Sequence, residues 1–202
     1  MFGVFVFTGS LVAMTRHADH PIKPFFLQRW SPRAMAGQPV SESDLFRLFE
    51  AARWAPSSGN SQPWRIIYAR AGTEAFERLF GLLADGNKPW CVRAGALLVL
   101  LSKRTLANGN AAVTHSYDTG AAWMSLALQG QAQGLVVHGM AGFDYARARS
   151  ELGVPDDYAV EAMAAVGHPG RLEDLDERYR AREMPSDRHP VTALVAEGTF
   201  GF

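Results

Sequence analysis

The stretch Ala55-Pro56-Ser57-Ser58-Gly59-Asn60-Ser61-Gln62-Pro63-Trp64 joins a helix to a strand, and the fold reads outward from it. Upstream, Ser41 and Asp44 form a capping box, and Leu45, Leu48, Phe49 and Ala52 recur at the spacing of one helical face. The spacing predicts a helix to about Ala55, stopped by Pro56, which lacks the amide proton that the next turn needs. Downstream, Trp64-Arg65-Ile66-Ile67-Tyr68-Ala69 has the aromatic and β-branched content of a strand. Between them lie small and amide-bearing residues that offer hydroxyl, amide and bare backbone groups.

Further along, Gly72 and Thr73 open a second helix with Phe76, Leu79, Phe80 and Leu83 on one face, ended by the turn Asp85-Gly86-Asn87. The unbroken apolar run Ala96–Leu101 predicts a central strand covered on both faces. From about Ser116 to Gln133 the residues Ala121, Ala122, Met124, Leu126, Ala127 and Leu128 spread almost round the helix, which predicts a buried one, capped by Gly134. Leu135–His138 reads as a strand, Asp144 as the cap of a helix ending near Gly153, and Val160–Val166 as the last strand. From about Gly167 the chain is charged and irregular, with an apolar tail through Leu194, Val195 and Phe200, as expected of an arm on a surface or around a partner subunit. The order is mixed α+β, with helices on a sheet. It makes one domain over 28–202, preceded by an N-terminal segment over 1–27.

Composition supports a globular reading: of 202 residues, 48% are hydrophobic and 20% charged, enough to bury a core. Twenty basic residues balance twenty acidic ones, so no overall field draws nucleic acid or an anionic membrane, and any anion site is local. The single cysteine, Cys91, has no partner for a disulfide or a metal pair, which fits a reducing, cytoplasmic compartment and a packing role. The apolar start from Met1 to Met14 lacks a basic leader and is shorter than the roughly 20 residues of a membrane span. No anchor is expected there, and the polar run after Met14 suggests translation from that methionine.

Three loops carry chemistry. Gln28-Arg29-Trp30-Ser31-Pro32-Arg33 sets two guanidinium groups and a hydroxyl close together, a pattern that grips phosphate bidentately and reads equally as a solvated surface loop. The Pro56–Gln62 loop reads as ligand-binding or as turn chemistry; without a histidine or acidic partner, its serines are not a hydrolase triad. His138-Gly139-Met140-Ala141-Gly142-Phe143-Asp144 leaves a strand through two glycines that let backbone approach a ligand, but it lacks the dinucleotide fingerprint. His138 itself reads as a satisfied strand residue or as an acid or base.

Taken together with Ser186-Asp187-Arg188-His189-Pro190, these loops resemble, in order and spacing, the nitroreductase family of flavoproteins over roughly Gln28 to Phe200. The resemblance implies a three-layer α/β/α sandwich with a mainly antiparallel sheet, bound FMN, and NAD(P)H as electron donor. It implies that Arg29, Ser31, Arg33 and Arg188 hold the phosphate and ribityl chain with Trp30 alongside. It implies that Pro56, Ser57, Ser58, Asn60 and Gln62 serve a site shared across a homodimer, and that Asn87 meets the pyrimidine edge of the ring. Met140, Ala141 and Gly142 would lay backbone against the ring. Some members carry an acidic residue where Ala141 stands and a lysine where Trp90 stands; Lys88 or Arg33 would then supply the positive charge. The implied reaction is ping-pong electron transfer to a small planar or conjugated acceptor (nitroaromatic, quinone, enal or semialdehyde), with Trp123, Phe143 and helices around Asn108 to His115 lining the pocket. Alternatives within the same likeness are a flavin-consuming or dehalogenating enzyme, or a flavin-binding dimer without turnover. No catalytic side chain, nucleic acid or membrane is expected.

Overall fold

The computed structural model describes residues 16–202; the apolar start and the Met14 reading lie outside the described residues. The elements run α1 (Pro24–Gln28), α2 (Glu42–Arg53), β1 (Trp64–Arg70), α3 (Glu74–Gly81), α4 (Lys88–Cys91), β2 (Ala96–Lys103), α5 (His115–Ala132), β3 (Val136–Met140), α6 (Tyr145–Glu151), β4 (Tyr158–Gly167) and α7 (Glu177–Arg180). Three helix starts follow from short polar caps. Ser41 accepts from the Asp44 amide, Thr73 from that of Phe76 and Asp144 from that of Arg147, each satisfying an amide that the first turn leaves open.

The four strands form one antiparallel sheet in the order β1-β2-β4-β3. β2 lies inside it and is buried from Ala96 to Ser102, as its continuous apolar run requires. Alternation sends Leu97, Val99 and Leu101 to one face, against Phe76, Leu79 and Trp90. Leu98 and Leu100 go to the other, against Leu45, Leu48 and Leu126. With α3, α4 and α6 on the first face and α2 and α5 on the second, the expected three-layer α/β/α sandwich is the observed one.

β4 carries one irregularity. Leu100 pairs with Ala162 but Leu101 pairs with Val160, so Glu161 is an extra residue in β4. Val160 therefore packs on the α3 face and Ala162 on the α5 face, although a regular strand would send both the same way.

Three expectations need correction. α5 buries one side, with Ala122, Leu126 and Ala127, but leaves Tyr117 (81% exposed), Gly120 and Met124 uncovered, because among the described residues nothing lies over that side. The segment before it is not helical: a bridge between Thr105 and Ala111 closes a turn, and the helix begins at His115. α4 follows the Asp85-Gly86-Asn87 turn where no helix was expected; its four residues are too few to show a period.

Candidate functional site

Between α5 and the ends of β3 and β4 lies a cleft of about 500 Å³, walled by Leu100, Trp123, Met124, Met140, Ala141 and Ala162. Arg29, Ser31, Ser116, Thr119 and Glu161 also line it, so an apolar slot has polar groups at a few fixed points. Gly139 allows the slot: a Cβ there would meet the Trp123 ring at 2.9 Å.

The loop carrying Arg29 is tied down along its length. His138 Nδ1 donates to the Pro32 carbonyl at 2.9 Å. Glu183 Oε1 accepts from the Arg33 and Ala34 amides at 2.6 and 2.7 Å. Met35 bridges Pro169, and the Ala36 amide reaches the His168 carbonyl. Burial, opposed by the bond to Pro32, holds the His138 imidazole below its ordinary value, so this histidine is a satisfied anchor of the loop.

Sequence reasoning missed Arg16, which stitches the C-terminal arm to this loop. Its Nε donates to the Ser186 carbonyl at 2.8 Å and its Nη1 to the carbonyls of Leu27 and Arg29, both at 2.9 Å. Arg188 folds back on the carbonyls of Ser186 and Asp187. Arg16, Arg29 and Arg188 thus share one neighbourhood. Burial, then the charge of Arg188, pushes the Arg29 guanidinium below its usual value; burial, then Arg188 and Arg29, does the same to Arg16, against a smaller opposing effect of Asp187. An arginine cannot shed its proton, so the strain of gathering these charges remains until an anion joins them. Thr119 Oγ1, buried on the cleft wall with no protein partner among the described residues, is a second group that a polar ligand would satisfy.

The other sequence-marked residues divide clearly. Met140 and Ala141 line the cleft, and Gly142 adjoins it, its carbonyl accepting from Asn87 Nδ2 at 2.9 Å. A side chain at Gly142 would strike that amide at 2.7 Å. Trp30 and Arg33 are partly buried beside the lining loop residues but are not themselves on the cleft wall. Lys88 pairs with Asp85 at 2.9 Å, and Trp90 is buried core, its ring 4.6 Å from His138. Phe143 does not line the cleft; it packs in the opposite core and stacks on Tyr145. Cys91 is buried against Met140, and desolvation raises its thiol well above the ordinary range.

Pro56, Ser57, Ser58, Asn60 and Gln62 do not reach the cleft of their own chain. Their loop is nevertheless built. Gly59, Asn60 and Gln62 take φ of 56°, 53° and 47° in the left-handed region, uncommon for Gln. Ser57 Oγ accepts from the Gln62 amide, and the buried Asp118 carboxylate accepts from the Ser58 amide at 3.1 Å and the Thr114 hydroxyl at 2.9 Å. A second group escaped sequence reading, although a lone acid inside the apolar Val160–Val166 run was its signal. Glu161 meets Ser102, His115 and Ser116 at the cleft edge.

Residues 26–88, which contain the Arg29–Arg33 and Pro56–Gln62 loops and Asn87, match the profile of the Nitroreductase family. A solved structure described as an oxidoreductase containing FMN is 38% identical with a TM-score of 0.89, over 96% of this chain and 99% of its own. A nitroreductase family protein from Clostridium difficile shares the fold, with a TM-score of 0.67 at 21% identity, over 87% of this chain and 97% of its own. The NADH dehydrogenase of Thermus thermophilus is 30% identical over 80% of this chain and 91% of its own length. Fold, loop order and likeness at this extent agree: the chain belongs to the nitroreductase family.

Proposed function

We propose that the protein is an FMN-dependent oxidoreductase that passes electrons from NADH or NADPH to a small planar or conjugated acceptor. The observation that carries this reading is the gathering of Arg16, Arg29 and Arg188 beside an apolar slot. Three charges crowded against one another fit a phosphate monoester, and the flat slot beside them fits an aromatic ring. The FMN-containing relative and the NADH dehydrogenase from Thermus support the choice of cofactor and donor.

In this reading Arg29, Ser31, Arg33 and Arg188 hold the phosphate and ribityl chain, with Trp30 packed beside them. The backbone of Met140, Ala141 and Gly142 forms the floor under the ring. Asn87, fixed by the Gly142 carbonyl, would meet the ring's edge. When bound, the flavin would supply the redox chemistry that links the nicotinamide donor to the acceptor. The protein's part is to hold the ring, exclude water from one face and leave the other to donor and acceptor in turn, which makes the kinetics ping-pong.

The site is completed in a homodimer. The uncovered side of α5 exposes Tyr117 and Met124, and the Pro56–Gln62 loop is held in a strained shape beside that helix without serving its own cleft. A second copy would cover the first and receive the second, bringing Pro56, Ser57, Ser58, Asn60 and Gln62 to the partner's ring. Among the described residues no helix is long and apolar enough to cross a membrane. A cytoplasmic location fits the unpaired Cys91. The test is the visible spectrum of the purified protein, before and after each reduced nicotinamide is added without oxygen. A yellow protein that bleaches is expected. A colourless protein that takes up no flavin overturns the reading, and a yellow one that no nicotinamide bleaches is a binder without turnover.

A further inference from the structure

The cleft has a carboxylate that holding a cofactor phosphate does not require. Glu161 is the extra residue of the β4 bulge, and the bulge turns its side chain to the α5 face, where it lines the cleft. Three groups fix it there. The fully buried Ser102 hydroxyl and the Ser116 hydroxyl (2.7 Å) both donate to Oε1. Because the Ser102 proton is spent on Glu161, His115 Nδ1 carries its own proton and donates it to Ser102 Oγ at 2.7 Å. His115 lies 3.5 Å from Glu161 Oε1 and also approaches Ser116 at 3.2 Å. Since serine and carboxylate both meet the same imidazole nitrogen, and the serine is sealed from solvent, this is no hydrolytic relay. No described residue bonds Oε2. Two donated hydroxyls on one oxygen suit an ionised carboxylate whose second oxygen is kept for something else.

We propose that Glu161 is a specificity-determining residue of the acceptor pocket, selecting planar acceptors that present a cationic or hydrogen-bond-donating group, such as an amidine, ammonium or primary amide, and disfavouring carboxylates. A fixed negative charge in an apolar slot discriminates by sign more strongly than by shape. The bulge gives up regular pairing in β4, and a sealed hydroxyl in β2 is committed to the same carboxylate, both of which serve its orientation.

This inference rests on the cleft being the acceptor site. Its test is calorimetric and needs no chromophore: binding of benzamidine and of benzoate, flat rings of nearly equal size and opposite charge, to the purified full chain in saturating inorganic phosphate, which occupies the Arg16, Arg29 and Arg188 cluster so that benzoate cannot. Wild type is expected to bind benzamidine at least about tenfold more tightly. Glu161→Gln, with its melting temperature measured alongside, is expected to bring the two affinities to within about threefold of one another. A structural brace would lower both affinities together and leave their ratio alone. A ratio near one in wild type, or one unchanged in Glu161→Gln, overturns the proposal; if the variant does not fold, the wild-type ratio decides. Flavin content is read separately from colour, so a colourless protein that still prefers benzamidine overturns the cofactor reading and with it the name of acceptor pocket, while the charge selection by Glu161 stands.

Discussion

At the scale of single residues, Arg29 and His138 do opposite things with charge. Arg29 stays charged beside Arg188 and Arg16 and gains from an anion, so Arg29→Ala should weaken FMN binding by about tenfold or more, the worth of a charge-assisted contact. Flavin fluorescence titration measures it, and the melting temperature of the purified variant should fall because less ligand stabilises the native state. Unchanged flavin occupancy would remove Arg29 from the phosphate site. His138 stays neutral because burial holds its imidazole below the ordinary 6.5. As pH falls through that value the unfolded chain takes up a proton that the fold refuses, so stability is full above it and is lost on acidification. His138→Asn keeps a donor for the Pro32 carbonyl and should flatten this slope. Melting temperatures at about pH 7 and about pH 5.5, for both proteins, test it; parallel slopes would show that another group titrates.

At the scale of elements, the Pro56–Gln62 loop shows how a surface turn is held in a strained form. Its left-handed residues need an outside restraint, and Asp118 in the first turn of α5 provides one through the Ser58 amide. Asp118→Ala leaves that amide and Thr114 without a partner and should destabilise the fold by about 1–3 kcal/mol, measured by urea denaturation. Faster amide exchange should be confined to the loop and the start of α5. A variant with wild-type stability and exchange would mean that the loop holds its shape unaided. Loop and helix were both legible as elements in the sequence, but their coupling was not, because nothing in local propensity reports that Asp118 and Ser58 meet sixty positions apart.

For the whole molecule, the C-terminal arm and the uncovered side of α5 bear on how the cleft is finished. Arg16 clamps the arm at Ser186 while Glu183 caps the amides of Arg33 and Ala34, so the first described residue and the C-terminal arm converge on the Arg29 loop. In the proposed homodimer a second copy covers the exposed side of α5. Met124→Glu would place a charge in that proposed contact and should turn a dimer into monomers in sedimentation velocity, with loss of bound flavin. A variant that sediments like wild type would place the interface elsewhere.

The sequence by itself determined the elements whose signals are local: the capped starts of α2, α3 and α6, the buried run of β2, and the loops bearing Arg29 and Pro56. It also determined the family, because those loops recur in a fixed order. It read α5 as buried all round, because small and apolar residues spread round a helix make the same pattern whether or not a neighbour covers them. Only the tertiary structure decided that Arg16 joins the arginines, that His138 anchors a loop, and that a bulge turns Glu161 into the cleft. Each of these depends on contacts between residues far apart in the chain, and a one-residue shift in strand register, invisible to composition and period, reverses the face on which a side chain emerges.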